Sequence, residues 1–414
     1  MTAAETEPAC LPTPPTKARL RELTWPLFVP AALYGIGQGA AAPIFALRAL
    51  ELGASTGTAG LMVALSGFGM VLGDLPAGRI VARIGERWAI ALGSSVGAAG
   101  VVLCIAAWNL ASFGVGMLAM GVANAVWGLA RHSYVVAAVS ATDRGRALST
   151  MAGSMRLGFF IGPFLGAGVI HGVGTAGGLW VELAAIVASG ALMVAQPEDG
   201  DPVIADGGPR SLTSVLREHR KVLTTLGLGA LLMGSARASR NALLPLWAAH
   251  IGMSASTTSL IFGISGAVDV AMSYPSGIWM DRFGRRAVAV PSMTFFAVGY
   301  AVLPLAGNAI AAGGVALVLG LANGLSNGVI MTIGADAAPP GHRAEFLGAW
   351  RLMHDTGMFV GPIAVGIISA VAVLGASVFA LGVTSGLGAA AMYRWVAPLR
   401  VSPNQTGGPV GEPG

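Results

Sequence analysis

Cysteine is nearly absent: Cys10 and Cys104 are the only two in 414 residues, one near the start and one inside an apolar run. That excludes a disulfide framework and a cysteine-built metal site. Charge is scarce as well, with Asp, Glu, Lys and Arg together only 10%, too little to solvate a soluble two-domain protein of this length. No Gly-x4-Gly-Lys-Ser/Thr loop occurs, so ATP bound by that device is not the direct energy source. Residues 1–24, rich in Thr, Pro and Glu, hold no apolar run followed by a cleavage site, and no removable leader is expected.

What is present is apolar. Hydrophobic residues make up 54% of the chain and the mean hydropathy is +0.72, a composition that belongs in lipid. About 20 apolar residues cross a ~30 Å hydrocarbon layer as a helix. Runs near that length are predicted at 25–47, 60–77, 88–108, 111–130, 147–170 and 177–195, then at 222–248, 258–276, 287–305, 311–334, 346–372 and 376–393. These are spans 1 to 12, an all-α membrane protein in two six-helix bundles, residues 25–195 and 222–394. Tails 1–24 and 395–414 and a polar linker 196–221 flank them, and Ser211 to Arg220 could form a short amphipathic surface helix.

The two bundles are copies. Ser66, Pro76, Gly78, Arg83, Gly85 and Arg87 return as Ser265, Pro275, Gly277, Arg282, Gly284 and Arg286, the numbers differing by 199 in each pair. The same offset carries Arg144, Gly158, Phe160, Gly162 and Pro163 onto Arg343, Gly357, Phe359, Gly361 and Pro362. An apolar unit repeated in register points to a transporter whose halves rock about a central site. Arginines concentrate in alternate loops, among them Arg79, Arg83, Arg87, Arg146, Arg217, Arg220, Arg282, Arg285, Arg286 and Arg394. Positive loops stay inside, so that set and both termini are expected in the cytoplasm, and no nucleic-acid patch is needed to explain the net charge of +5.

The loop between spans 8 and 9 reads Gly277-Ile-Trp-Met-Asp281-Arg282-Phe-Gly284-Arg285-Arg286, and it resembles the signature loop of the major facilitator superfamily. Its first-half copy, Gly78-Arg-Ile-Val-Ala82-Arg83-Ile-Gly85-Glu86-Arg87, has Ala82 at the acidic position. In the family that carboxylate helps latch the halves together, so the latch is expected to be weakened or rebuilt, with Asp74 and Glu86 as candidates. Span 5 carries Gly158-x3-Gly162-Pro163-x2-Gly166, which is similar to the pattern of the exporter, or drug:proton antiporter, branch. Small residues four apart let helices approach closely, a property expected to serve the interface between halves; generic packing is the alternative.

The resemblance implies a cavity lined by spans 1, 4, 7 and 10, and each carries polar residues at helical spacing. They are Tyr34 and Gln38; Asn124, Trp127 and Arg131; Arg237, Arg240 and Asn241; and Asn323, Ser326 and Asn327. For the asparagines, bonding between helices is the competing role. Intramembrane charge usually marks function or pairing, so Arg237 and Arg240 are expected to favour an anionic or acceptor-rich solute. The other ionisable groups within spans include Arg156, Glu182, Asp269, His354 and Asp355. Asp269, Asp355, His354 and Arg156 are the proton-coupling candidates, with permanent ion pairs as the alternative, and an Arg156–Asp269 pair is expected from their similar depth.

The function implied is export of a small organic molecule by proton antiport in the cell membrane, by a monomer without cofactor, metal or covalent chemistry. Proton-coupled import of an organic anion and a non-transporting membrane sensor are the alternatives.

Overall fold

The computed structural model describes residues 24–139, 144–195, 217–338 and 343–396, and all regular structure among them is helical. Both outer tails, most of the expected linker with its surface helix, and positions 140–143 and 339–342 lie outside the described residues. Lipid offers no partner to a free backbone N–H or C=O, so apolar runs satisfy themselves as helices. Eleven described stretches are long and apolar enough to cross a membrane. The remaining path, span 1, is assembled from a π-helical turn at Thr24–Phe28 and helices Val29–Ala41 and Ile44–Glu51. The expected single helix 25–47 is therefore broken, and the break falls at Pro43, whose nitrogen cannot continue the hydrogen-bond ladder.

Spans 2 and 3 run as Thr56–Ile105, parted by Gly85 alone at φ 77°. Leu110–Ala138, Arg144–Val173 and Gly177–Val194 complete the first half. The second half is Arg220–His250, Ala255–Phe283, Arg286–Val302, then Ala309–Ser326 with Val329–Ala337, then Arg343–Val371 and Leu374–Trp395. Span 10, expected unbroken over 311–334, is interrupted at Asn327–Gly328, where Gly328 takes φ 79°, a left-handed conformation that glycine adopts without a Cβ clash.

Duplication extends to these details. Gly85 and Gly284 share a positive φ with ψ 165°. Ser55 and Ser254 cap spans 2 and 8 by accepting from the backbone N–H groups of Thr58 and Thr257, while Asn109 and Asn308 do the same for spans 4 and 10 at Ser112 and Ala311. Each cap satisfies a donor that the first helical turn leaves free, contributing about 1 kcal/mol.

Within a half, spans 1 and 5 approach one another closely. A Cβ on Gly158 or Gly162 would strike the backbone of Ala32 or Ile36, and one on Gly35 or Gly39 that of Met155 or Phe159. Spans 7 and 11 repeat this, with Gly357 and Gly361 against Leu231 and Ser235. The glycines of the span 5 motif thus face span 1 inside their own half and do not form the interface between halves, as the motif was expected to do.

That interface is made by spans 2 and 11 on one side and 5 and 8 on the other. Gly57 and Gly60 meet Gly366, Phe68 stacks on Phe359 with centroids 5.3 Å apart, and Phe160 and Phe164 lie against Gly266 and Gly263. Ser256 hydrogen-bonds His171 at 3.1 Å and donates to the Ala167 carbonyl. These polar links sit at the arginine-poor end. Toward the arginine-rich end, Asp74 feels the charge of Arg351 across the seam but forms no ion pair with it, Arg351 pairing instead with Asp355. The halves are fastened at one end and lack that ion pair toward the other.

Candidate functional site

Between the halves lies a cavity of about 150 Å³. Gln38 and Ala42 from span 1, Ser66 and Met70 from span 2, Met120 and Asn124 from span 4, and Phe159 from span 5 form one wall; Ala238, Asn241, Met358 and Pro362 form the other. Of the residues expected to face a cavity, Gln38, Asn124 and Asn241 line this one. Amides present a donor and an acceptor each, so the polar part of this lining can bond a solute of either character without charge.

The first-half wall is aromatic. Tyr34 stacks on Trp127 at 3.7 Å with planes 9° apart, and its hydroxyl donates to Asn124 Oδ1 at 3.2 Å. Arg131 lies 4.8 Å over the Trp127 ring and points Nη1 at Met155 Sδ, 2.8 Å away. A guanidinium held over an indole face is stabilised by the ring quadrupole. This orients Asn124, whose position on the cavity is fixed by a rigid neighbour.

The second half carries an ionic network. Asp269 accepts from Asn323 Nδ2 at Oδ2 and from Asn327 Nδ2 at Oδ1, the latter 2.7 Å away, with Arg240 Nη1 at 3.9 Å. Arg237 donates to Ser326 Oγ at 2.6 Å and Asn327 Oδ1 at 3.0 Å. The break in span 10 is what turns Asn327 toward both groups. Arg240 is buried over the Phe262 ring at 4.9 Å, leaving Nε and Nη2 without hydrogen-bond partners. The expected Arg156–Asp269 ion pair is not formed: Arg156 senses the Asp269 charge, but Arg240 and two asparagines occupy the carboxylate, reaching it from spans 7 and 10 at the same depth. Arg237 and Arg240 do not line this cavity.

Asp355 is held by Arg351 Nε at 3.2 Å and by His354 Nδ1 at 3.1 Å, a cluster on span 11 facing Asp74. In the loops, Glu86 accepts from Ser133 at 2.8 Å, and its duplicate Arg285 pairs with Asp336 at 2.8 Å. Each loop is therefore tied to the end of span 4 or 10 in its own half. Glu86 is not a rebuilt latch between halves, and Asp281 and Arg282 are exposed. Arg87 and Arg286 lie over Trp88 and Tyr393. Glu182 is the group whose setting sequence reasoning left unresolved. It is fully buried, with Gln38 Nε2 donating to Oε1 at 3.2 Å and Oε2 unpartnered.

A family model described as Major Facilitator Superfamily matches residues 27–236 and 226–412. An uncharacterized MFS-type transporter, YddS of Bacillus subtilis (strain 168), is 26% identical over 355 residues, 77% of this chain and 78% of its own. Among solved structures, the nucleoside transporter NupG is similar over 90% of this chain and 98% of its own, with TM-score 0.71 and 15% identity. The D-xylose-proton symporter is similar over 92% and 98%, with TM-score 0.70 and 15% identity, and a POT family transporter over 91% and 96%, with 0.75 and 12%. At these identities the solved structures speak for the fold.

Proposed function

Because the chain belongs to the major facilitator superfamily and is a multi-pass membrane transporter, we propose that it exports a small organic molecule from the cell by proton antiport. The observation that carries this is the cavity at the seam of two duplicated halves that are fastened to one another at the arginine-poor end. Positive loops stay in the cytosol, so that end faces outward and the conformation described here is closed to the outside. Rocking the halves would part Ser256 from His171 and Gly57 from Gly366 and open the cavity outward, with no covalent step. Export is supported by the span 5 motif, although its glycines are used in helix packing that the second half repeats.

Gln38, Asn124, Asn241 and Ser66 among methionine and phenylalanine suit a solute that is uncharged where it is enclosed and carries both donors and acceptors. Proton coupling is assigned to Asp355 with His354, and to Asp269. Asp355 is the duplicate of Arg156, so opposite charges occupy equivalent places on the spans that frame the seam. A carboxylate whose hydration differs between two conformations binds a proton more tightly in the drier one.

The reading is tested by a thermal-shift screen of metabolites and antibiotics, since a ligand of the folded state raises its melting temperature. The best ligand is then followed in liposomes. Counterflow of that ligand, weakened by Asn124→Ala or Asn241→Ala, is expected. Binding without movement would make the protein a sensor on a transporter fold.

A further inference from the structure

Among the described residues, the buried carboxylates of the second half are both supplied with hydrogen-bond donors: Asp269 by Asn323, Asn327 and Arg240, and Asp355 by Arg351 and His354. Glu182 has no such supply. It lies five residues into span 6, sealed from solvent, with one amide hydrogen bond on Oε1 and nothing on Oε2. An ionised carboxylate buried without a counter-charge is among the most costly arrangements a protein can hold, whereas a neutral acid costs little more than its unmade hydrogen bond.

Among the described residues, the neighbours supply no counter-charge. From span 1 the titratable group in electrostatic reach is Tyr34, and from span 3 it is Cys104. Arg48, toward the arginine-poor end of span 1, is engaged by Glu51 and the Ile105 carbonyl. Span 5 directs Arg156 toward Asp269 and His171 to Ser256, and its Arg146 is exposed at the far end. Span 1 presses close on the group: a Cβ at Gly37 would sit 3.2 Å from the Glu182 Cα.

One wall separates this acid from the cavity, and that wall is Gln38, which both lines the cavity and bonds the carboxyl. We propose that Glu182 is a proton-carrying site of the first half, holding its proton in this conformation and exchanging it with cavity water when Gln38 turns away. In the exchange the Glu182 O–H bond breaks, the proton passes to water, and the carboxylate that remains is hydrated through the opening the amide leaves. A solute that takes the Gln38 amide would therefore open the path. The inference rests on the proton-coupled reading above only for its purpose in transport; the protonation itself stands or falls alone.

The test is infrared spectroscopy of the purified full chain in detergent, without any solute. The carbonyl stretch of a protonated carboxylic acid should be present in the wild type, absent in Glu182→Gln, and lost on alkaline titration. Glu182→Gln keeps the shape and neutrality of the acid, so its melting temperature should stay near that of the wild type. Gln38→Ala admits cavity water, so the band should shift in heavy water at least tenfold faster and be lost at lower pH than in the wild type. A carboxylic-acid carbonyl region unchanged between wild type and Glu182→Gln would show that Glu182 is ionised at rest and overturn the proposal. A band unmoved by Gln38→Ala in both exchange and titration would make it a sealed structural acid, which also overturns it. If the band behaves as expected while a pH gradient leaves solute flux unchanged, the proton site stands and the antiport reading falls.

Discussion

Gln38 and Arg237 hold the same place in the two halves, yet the amide turns to Glu182 on span 6 while the guanidinium turns to Ser326 and Asn327 on span 10. The contrast recurs around them. Asn124 is bonded by Tyr34 in the first half, and its duplicate Asn323 is bonded to Asp269 in the second. Met70 lines the cavity where the duplicate position is Asp269 itself. Caps, positive-φ glycines and the span 1–5 and 7–11 crossings are meanwhile the same in both halves. Duplication has kept most of the backbone, apart from the breaks in spans 1 and 10 that spans 7 and 4 lack, and has released the side chains at the seam. One half carries an aromatic wall and a lone acid, the other an ionic network.

The comparison breaks most visibly at Asp269. Removing one member of a buried charge network strands the other, at a cost of about 3–5 kcal/mol. Asp269→Ala should therefore unfold far more readily than wild type in a denaturation assay, and adding Arg240→Met should recover most of the loss. Should the double variant be no more stable than Asp269→Ala, Arg240 is not the stranded charge.

A smaller effect sharpens what the halves share. Gly158→Ala and Gly357→Ala each place a methyl group on the carbonyl of the facing helix, at Ala32 and at Leu231. Overpacking of this kind costs about 1–3 kcal/mol, and the two losses of melting stability should be alike. A much larger loss of transport at Gly158 than at Gly357, with equal loss of stability, would give the span 5 motif a role that its copy lacks.

The smallest effect concerns the caps. Asn109→Ala and Asn308→Ala should each cost about 1 kcal/mol. The former should cost less, since the backbone N–H of Asn109 donates to Ser112 Oγ whatever its side chain, and Ala311 has no side chain that could accept in the same way. Equal melting points for the two variants would remove the distinction.

Most of this architecture was legible because lipid forces apolar runs into helices and the 199-residue offset fixes their order. The breaks in spans 1 and 10 were harder. Pro43 and Gly328 lie within runs that hydropathy reads as continuous, and prolines such as Pro163 and Pro245 sit inside unbroken helices. At the site, residue type and spacing found Gln38, Asn124 and Asn241 but could not rank them above Arg237 and Arg240. Similar depth, with spans 5 and 8 adjacent as the family resemblance implies, suggested Arg156 as the partner of Asp269; which side chain reaches a carboxylate depends on helix rotation, and Arg240 with the span 10 asparagines arrives first. Glu182 was visible as an acid in an apolar run. That it would have a single amide for company required the packing of spans 1, 3 and 6.

The central claim is that solute moves against protons through the seam. In liposomes at clamped membrane potential, an inwardly directed proton gradient should drive the ligand identified by thermal shift outward. Asp355→Asn should abolish that gradient-driven movement while leaving exchange of the ligand down its own gradient. A pH gradient without effect on wild-type flux would contradict proton antiport, and flux running in the same direction as the protons would make the protein a symporter.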